Sequence, residues 1–399
     1  NRKGNGMNQV ISTEEKPIKL WLDDIEEGAL EQARNLANLP FIFKHIAIMP
    51  DAHQGYGMPI GGVMATLGVI VPNAVGVDIG CGMCAIRTSL KILAHPTIKE
   101  IMGGSAECKG GIRSKIPLGF NHHSKKQDEK WMPEPTDYTP IVKTQYNSAL
   151  KQVGTLGGGN HFIEIQKGSD GYIWVMVHSG SRNIGYQVAK HYNDLAVKLN
   201  EKWFSLVPKK WELAFFPLDS EEGQTYSAEM QYCVDFALSS RSLMIERIKE
   251  SILDILPEVT FGEMLNIAHN YAAMENHFNK NVMIHRKGAT KAYIDQLGII
   301  PGSQGSASYI VRGLGNPESF KSCSHGAGRK MSRSRAQREL NLDVEKKRLD
   351  DLGIVHAIRN KKDLDEAAGA YKDISAVMAN QEDLVSVEVE LNPLAVIKG

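Results

Sequence analysis

The stretch Val75-Gly-Val-Asp-Ile-Gly-Cys-Gly-Met-Cys84 decides how this chain is read. Before it runs Gly61 to Pro72, whose Val63, Leu67, Val69, Ile70 and Val71 predict a buried strand. Gly76, Gly80 and Gly82 then allow tight turns and leave open space around their neighbours. Into that space project two cation donors, Asp78 and Cys81. A carboxylate and a thiolate three residues apart in a glycine-rich turn can converge on one ion. Taken alone, the decapeptide reads better as a turn capped by Asp78 with a small buried thiol at Cys81. The surrounding chain reverses that reading.

Upstream, an amphipathic helix is expected over Glu26 to Asn38 and a buried strand over Phe41 to Met49. The loop Pro50-Asp-Ala-His-Gln-Gly-Tyr-Gly57 follows, carrying Asp51 and His53. Short strands and glycine turns predict an α+β fold of mixed α/β layers rather than a helical bundle. Met7 reads as the native start, with residues 1–6 an appended leader set aside from the fold.

Downstream, residues 109–138 are polar and punctuated by proline and glycine, which predicts a long surface loop over a site. His122 and His123 there read as solvated rather than metal-binding. Gly154-Thr-Leu-Gly-Gly-Gly-Asn-His-Phe-Ile-Glu164 leads into a strand, so it is a weak signal for dinucleotide binding. His161 to Ile165 and Tyr172 to His178 predict a hairpin. A centre between Ser169 and Asp170 sets His161 directly opposite His178, about 4.5–5.5 Å apart at Cβ. Two histidines so placed can share metal ions.

Residues 186–256 predict helical scaffold, from Gln187 to Trp203 and from Ser227 to Leu256. Thr260 and Glu263 form a capping box that predicts a helix over FGEMLNIAHNYAAMENHF. Taken alone, His269 within it reads as a hydrogen-bonded core histidine, as do His277 and His285.

Pro301-Gly-Ser-Gln-Gly-Ser-Ala-Ser308 offers backbone amides and hydroxyls before a strand from Tyr309 to Gly313. Ser322-Cys-Ser-His-Gly-Ala-Gly-Arg329 is expected to open a helix carrying Lys330, Arg333 and Arg335. A glycine-rich approach to a helix N-terminus beside arginines suits phosphate. His325 at its mouth can act as base, ligand or nucleophile.

Of 399 residues, 46 are basic and 46 acidic, so any polyanion site must be a local patch. Arg182, Arg312, Arg329, Arg333 and Arg335 are the candidates for phosphate contacts in such a patch. Five cysteines, an odd number, suit a reducing cytoplasm better than a disulfide framework. The chain offers neither an apolar run long enough for a bilayer nor a signal peptide, which predicts a cytoplasmic protein.

Together these segments resemble the RtcB family of RNA ligases, from about Lys19 to Gly399. The resemblance is carried, in order, by MPDAHQGYGMPIGGV, VGVDIGCGM, GTLGGGNHFIE, VHSGSRNIG, AHNY, PGSQGSASYIVRGLGN, SHGAGR and the terminal IKG. It implies an RtcB-type fold, a β-rich core surrounded by helices with a metal-containing cleft, in one catalytic domain over 7–399. It implies a GTP- and Mn²⁺-dependent ligase joining RNA 3′-phosphate or 2′,3′-cyclic phosphate ends to 5′-hydroxyl ends, in tRNA splicing or RNA repair. In that family a histidine takes GMP from GTP and passes it to the RNA 3′-phosphate, and the 5′-hydroxyl then expels GMP.

By resemblance the nucleophile is His325. Two Mn²⁺ ions would be held by Asp78, Cys81, His161, His178 and His269, with the Cys81 thiolate bridging them. Zn²⁺ or Co²⁺ can occupy the same donors on purification. The guanine nucleotide would contact Asn160, His161, Phe162, Ile163, Glu164, His269 and Asn270. It would also meet Pro301, Gly302, Ser303, Gln304, Ser308, His325, Gly326, Ala327, Gly328 and Lys398. Glu164 would accept hydrogen bonds from the guanine edge. A monomer is expected, and some family members need an activating protein partner.

Three competing readings use the same residues. Cys81-Gly-Met-Cys84 has the spacing of a redox pair or half a zinc knuckle, though Cys84 reads as incidental. A dinuclear phosphoesterase for cyclic phosphates would use the donors without guanylylation, and leaves SHGAGR and IKG unexplained. An RNA-binding scaffold with a structural zinc needs a closed four-donor site, whereas five donors including a carboxylate suggest an open one.

Overall fold

Two large β-sheets grow from the apolar runs of this sequence, beside two short two-stranded ones that pair Val69–Ile70 with Phe216–Pro217 and Ala289–Lys291 with Ser322–Ser324. The computed structural model describes residues 6–104 and 110–399, so Cys108 and the first residue of the 109–138 stretch lie outside the described residues. The first strands are β1 (Gln9–Ile11), β2 (Ile18–Leu20), β3 (Ile42–His53), β4 (Ile60–Thr66), β5 (Val69–Ile70) and β6 (Gly82–Thr88). Next come β7 (Phe162–Gly168), β8 (Ile173–Ser179), β9 (Phe216–Pro217), β10 (Phe261–Ala268), β11 (Asn270–His277) and β12 (Lys280–Lys287). The last are β13 (Ala289–Lys291), β14 (Leu297–Ile300), β15 (Ser308–Gly313), β16 (Ser322–Ser324) and β17 (Val385–Lys398). The helices are α1 (Glu27–Ala37), α2 (His95–Met102), α3 (Ile112–Lys115), α4 (Pro140–Ala149) and α5 (Arg182–Lys202). Then follow α6 (Glu221–Leu253), α7 (Arg333–Glu339), α8 (Leu342–Asp351) and α9 (Ile374–Ala379).

One sheet has six strands in the order β1-β2-β3-β4-β12-β11, and the other seven, β10-β6-β8-β7-β17-β15-β14. Alternation along β7 and β8 shows how the second is covered on both faces. Ile163, Ile165, Val175 and Val177 pack with Met244, Ile245 and Ile248 of α6. Phe162 and Met176 turn to the opposite face, against Leu349 and Leu364. The helix α6 begins where the Ser220 hydroxyl accepts from the Gly223 N–H, with Glu221 and Glu222 in its first turn. The mixed α+β layering expected from the sequence is what the chain forms.

Four local expectations are corrected first. Strand β3 runs on to His53, so Asp51 and His53 lie in a strand and not in a loop. The run from Gly61 to Pro72 is broken by a turn at Gly68 (φ +70°), and Leu67 is exposed. The 109–138 stretch includes α3, and Ile112 and Ile116 anchor it in the core. Phe162 pairs with His178, so the hairpin centres on Asp170 and His161 is not opposite His178. His161 sits just before the strand, where pleat alternation no longer fixes its direction.

The largest correction concerns residues 261–277. Instead of a capped helix they form β10 and β11. Strand β10 pairs with β6 from Phe261↔Thr88 to Ala268↔Gly82, and β11 pairs with β12 along its whole length. A capping box stabilises a helix only locally, by about 1 kcal/mol, and two full ladders outweigh it.

Candidate active site

The chain crosses from one sheet to the other at His269. Strand β10 is an edge of the seven-stranded sheet, β11 an edge of the six-stranded one, and His269 is the residue between them. Its N–H donates to the Cys81 carbonyl at 2.8 Å, and its carbonyl accepts from Ala289 N–H at 3.2 Å. Asn270 ties the crossing to the glycine-rich turn. Its side-chain amide donates to Asp78 O (3.1 Å), and its main-chain carbonyl accepts from Gly80 N–H (2.8 Å).

The other donors stand at or near strand ends. Cys81 immediately precedes β6, His161 immediately precedes β7, and His178 is the penultimate residue of β8. The Cys81 sulfur lies 3.5 Å from His161 Nε2 and 3.3 Å from His178 Nε2. His161 Nε2 is 3.0 Å from Asp78 Oδ2, and His178 Nε2 is 3.4 Å from His269 Nε2. Two trios result, Cys81–His178–His269 and Asp78–Cys81–His161, each with donor atoms within 4.8 Å of one another. They share Cys81.

The two trios, joined at Cys81, form a donor set that fits divalent transition-metal binding. Imidazole nitrogens facing each other and one sulfur cannot all satisfy one another by hydrogen bonds, and His161 Nδ1 and His269 Nδ1 are buried without a partner. Burial, reinforced by neighbouring imidazoles, holds the His178 and His269 rings well below the usual histidine range. Both are therefore neutral at pH 7, the form that ligates. Burial and then the Asp78 charge push the Cys81 thiol up, an effect a bound cation reverses. Burial alone would raise Asp78, but the hydrogen bond and charge of His161 outweigh it and hold the carboxyl at about 2.

Two further residues hold this arrangement: Arg241, which no motif marks, and Gly180 of VHSGSRNIG. Arg241 of α6 is fully buried and donates to Gly80 O (3.0 Å), Ser179 O (2.7 Å) and Asn266 Oδ1 (2.8 Å). One guanidinium thus pins the segments next to Cys81 and His178 and the strand leading to His269. Gly180 leaves the acidic donor its room, since a Cβ there would lie 2.0 Å from Asp78 Oδ1.

Cys84 plays no part. It faces the α6 side of its sheet with Met244, both cysteines are free, and burial pushes its thiol up to about 12.

His325 follows β16 on the opposite wall. Its Nδ1 donates to Asp51 Oδ2 at 2.6 Å, and the same oxygen accepts the backbone N–H of His325 (3.1 Å) and of Gly326 (3.2 Å). That leaves Nε2 as the nitrogen available for chemistry. The ring stands 4.7 Å from that of His269, centroid to centroid, which puts it beside the donor cluster. The SHGAGR segment does not open a helix directly; α7 starts at Arg333, capped by Ser332.

A sequence profile described as tRNA-splicing ligase RtcB matches residues 32–137 and 134–399. The chain is 39% identical over 419 positions to the RNA-splicing ligase RtcB of Escherichia coli K12, covering 98% of this chain and 99% of that one. The chain belongs to the RtcB family. It is also 33% identical to the tRNA-splicing ligase RtcB of Thermococcus kodakarensis, over 96% of this chain and 95% of that one. RNA-splicing ligase RtcB homolog 1 of Entamoeba dispar is 33% identical, over 93% of this chain and 82% of that one.

The residues that the RtcB resemblance singled out for a nucleotide mostly share one cleft, of about 1330 Å³, with the donors and His325. Asn160, Phe162, Glu164, Asn270 and Lys398 line it, as do Pro301, Gly302, Ser303 and Gln304, and Gly326, Ala327 and Gly328. Two do not. Ile163 points into the core under α6. Ser308 lies beneath the 301–307 turn, where its Oγ accepts from Gly302 N–H (3.0 Å) and from Gln166 Nε2 (3.3 Å). Glu164 accepts from Gln166 Nε2 at 2.7 Å, yet burial raises its carboxyl to about 7.

The arginines divide. Arg182, Arg329 and Arg333 line the cleft. Arg312 pairs with Glu388 and Arg335 with Glu339, and neither lines the cleft. Arg329 and Arg333 share one buried carboxylate, Glu366, at 2.7 and 2.6 Å. That partner lies outside every motif of the sequence, whereas Asp51 sits within MPDAHQGYGMPIGGV, though nothing local marks it as the partner of His325. Among the described residues, no helix is long and apolar enough to cross a membrane.

Proposed function

We propose that this RtcB-family protein is a GTP- and Mn²⁺-dependent RNA ligase that joins 3′-phosphate or 2′,3′-cyclic phosphate ends to 5′-hydroxyl ends. The observation that carries this reading is His325, whose Nδ1 is engaged by Asp51 and whose ring stands 4.7 Å from that of His269. A nucleophile with one nitrogen committed and the other free, beside two donor trios, suits phosphoryl transfer. The cleft exceeds the roughly 300–1,000 Å³ that one small ligand occupies, leaving room for a nucleotide and an RNA end.

In this reading, His325 Nε2 attacks the α-phosphorus of GTP. The N–P bond forms as the bond to the bridging oxygen of the β-phosphate breaks, and pyrophosphate leaves. Asp51 keeps the proton on Nδ1 and stabilises the positive charge that the ring gains. An RNA 3′-phosphate oxygen then takes the guanylate, breaking the N–P bond and restoring His325. A 5′-hydroxyl attacks that activated phosphate and expels GMP, losing its proton. A 2′,3′-cyclic phosphate is first opened by water. Metal ions at the two trios, when bound, supply neutralisation of phosphate charge. Glu164 would receive the guanine edge, and Arg182, Arg329 and Arg333 would meet RNA phosphates.

The test is incubation with α-labelled GTP and Mn²⁺ followed by a denaturing gel, beside His325→Ala. An acid-labile, alkali-stable label on the wild type alone is the expected result. A folded, metal-loaded wild type that takes no label overturns the guanylylation step and favours a cyclic phosphoesterase.

A further inference from the structure

Phe120 is 97% exposed, yet it lines the cleft. Of the large apolar side chains that are exposed, Tyr56, Val77 and Phe120 line the cleft, and Phe120 is the barest of the three. A lone exposed phenylalanine is ordinary on a loop that moves freely. This one stands on a backbone fixed on both sides. Leu156 N–H donates to Pro117 O (3.0 Å) and Gly119 N–H to Gly157 O (3.1 Å), while Asn121 N–H donates to Leu118 O and His123 N–H to Lys151 O. Arg182 closes the set with a hydrogen bond from Nη2 to Gly119 O at 3.1 Å. Below it, Ile116 is fully buried. The ring is therefore held out on a rigid pedestal.

The pedestal abuts the chemistry. A Cβ on Gly158 would lie 3.8 Å from Gly119 Cα, and one on Gly159 would lie 2.9 Å from Arg333 Nη2. A continuous rim thus runs from Arg333 across the glycines to Phe120, with Arg182 behind it. Cationic side chains that track phosphates beside a bare aromatic ring are the two parts of a single-strand binding groove.

We propose that Phe120 is a stacking platform for a nucleobase close to the RNA end seated in the cleft. This rests on the ligase reading for its ligand, an RNA end, but it concerns binding, which can be measured apart from catalysis. The ring face is sequence-tolerant, as every base has a π-face, so Phe120 would add affinity without dictating sequence.

The test uses fluorescence anisotropy of a labelled single-stranded RNA decamer with a 3′-phosphate, at one fixed salt concentration. It compares wild type, Phe120→Ala and Phe120→Trp, without GTP. Because the ring is bare, melting temperatures should match. Phe120→Ala should bind about five- to a hundredfold more weakly, the range for one lost base–aromatic stack. Phe120→Trp should bind like wild type, and its indole emission should be quenched by the RNA. GTP labelling of His325 should be equal in all three. Binding by Phe120→Ala within twofold of wild type overturns the proposal, and so does a wild type that fails to bind the decamer. Absent labelling of the wild type strikes the ligase reading instead, and leaves the anisotropy comparison to decide the stack.

Discussion

The two walls of the cleft hold their key side chains by different means. On the donor wall, Cys81, His161 and His178 stand at the ends of neighbouring strands β6, β7 and β8, and the ladder fixes their spacing. Arg241 then pins the chain just before β6 and at the end of β8 through the Gly80 and Ser179 carbonyls. On the opposite wall, β16 is three residues long and pairs with β13. His325 owes its position there to the buried Asp51 carboxylate. One wall is aligned by backbone register, and the other by a hydrogen bond to one oxygen. Damage to each wall should therefore have a different signature.

The largest effect is expected at the shared donor. Cys81→Ala removes a ligand from both trios at once. Metal content after dialysis, read by mass spectrometry, should fall from about two ions to below one per chain. Ligation should fall at least a thousandfold, beyond the roughly 10–100-fold of losing an outer partner. Retention of two ions would break the assignment of Cys81 as a bridge.

Asp51→Asn should give the opposite pattern. The amide removes the negative charge that keeps the proton on His325 Nδ1, and leaves the donor wall alone. Labelling of His325 by GTP should slow by about 10²–10⁴-fold, with metal content unchanged. If metal content falls as well, the walls are coupled and the contrast between them fails.

The same contrast explains what could be read from sequence. Residue patterns alone favour a capped turn at Asp78 and Cys81 and a core histidine at His269. The RtcB resemblance is what names the five as donors, and the fold brings them together in two trios that share Cys81. Their convergence survived an error in register, since His161 lies outside the pleated strand and turns freely towards His178. Supports were illegible for the converse reason. Asp51, Arg241 and Glu366 act on residues 274, 161 and 37 or 33 positions away, and no local pattern marks such a partner. The helix expected around His269 failed because a capping box is a local preference, whereas β10 and β11 answer to strands far along the chain. Ile163 belongs to the nucleotide stretch that the resemblance implies, yet alternation along β7 turns its side chain to the core.

The smallest effect, and the finest test of the nucleotide wall, concerns Glu164. Burial raises its carboxyl to about 7, above the ordinary value of 4.5. Between those values the folded protein keeps a proton that the unfolded chain has released, so stability falls as pH rises from about 4.5 to 7 and levels off above. Glu164→Gln removes that titration. Its melting temperature should exceed the wild-type value at pH 8, and the two should converge at pH 4. Glu229, which burial also raises to about 7, is common to both proteins and cancels in the difference. Selectivity should respond with the opposite sense. An ionised Glu164 can accept two hydrogen bonds from guanine, so preference for GTP over ATP should grow in the wild type as pH rises through 7. In Glu164→Gln it should be pH-independent and about tenfold lower at pH 8, the scale of one lost charged hydrogen bond. A flattened stability profile with unchanged selectivity would mean that the buried carboxyl serves Gln166 and the sheet. Guanine would then be read by the main chain of the 301–304 turn, making the nucleotide wall, like the donor wall, a product of backbone placement.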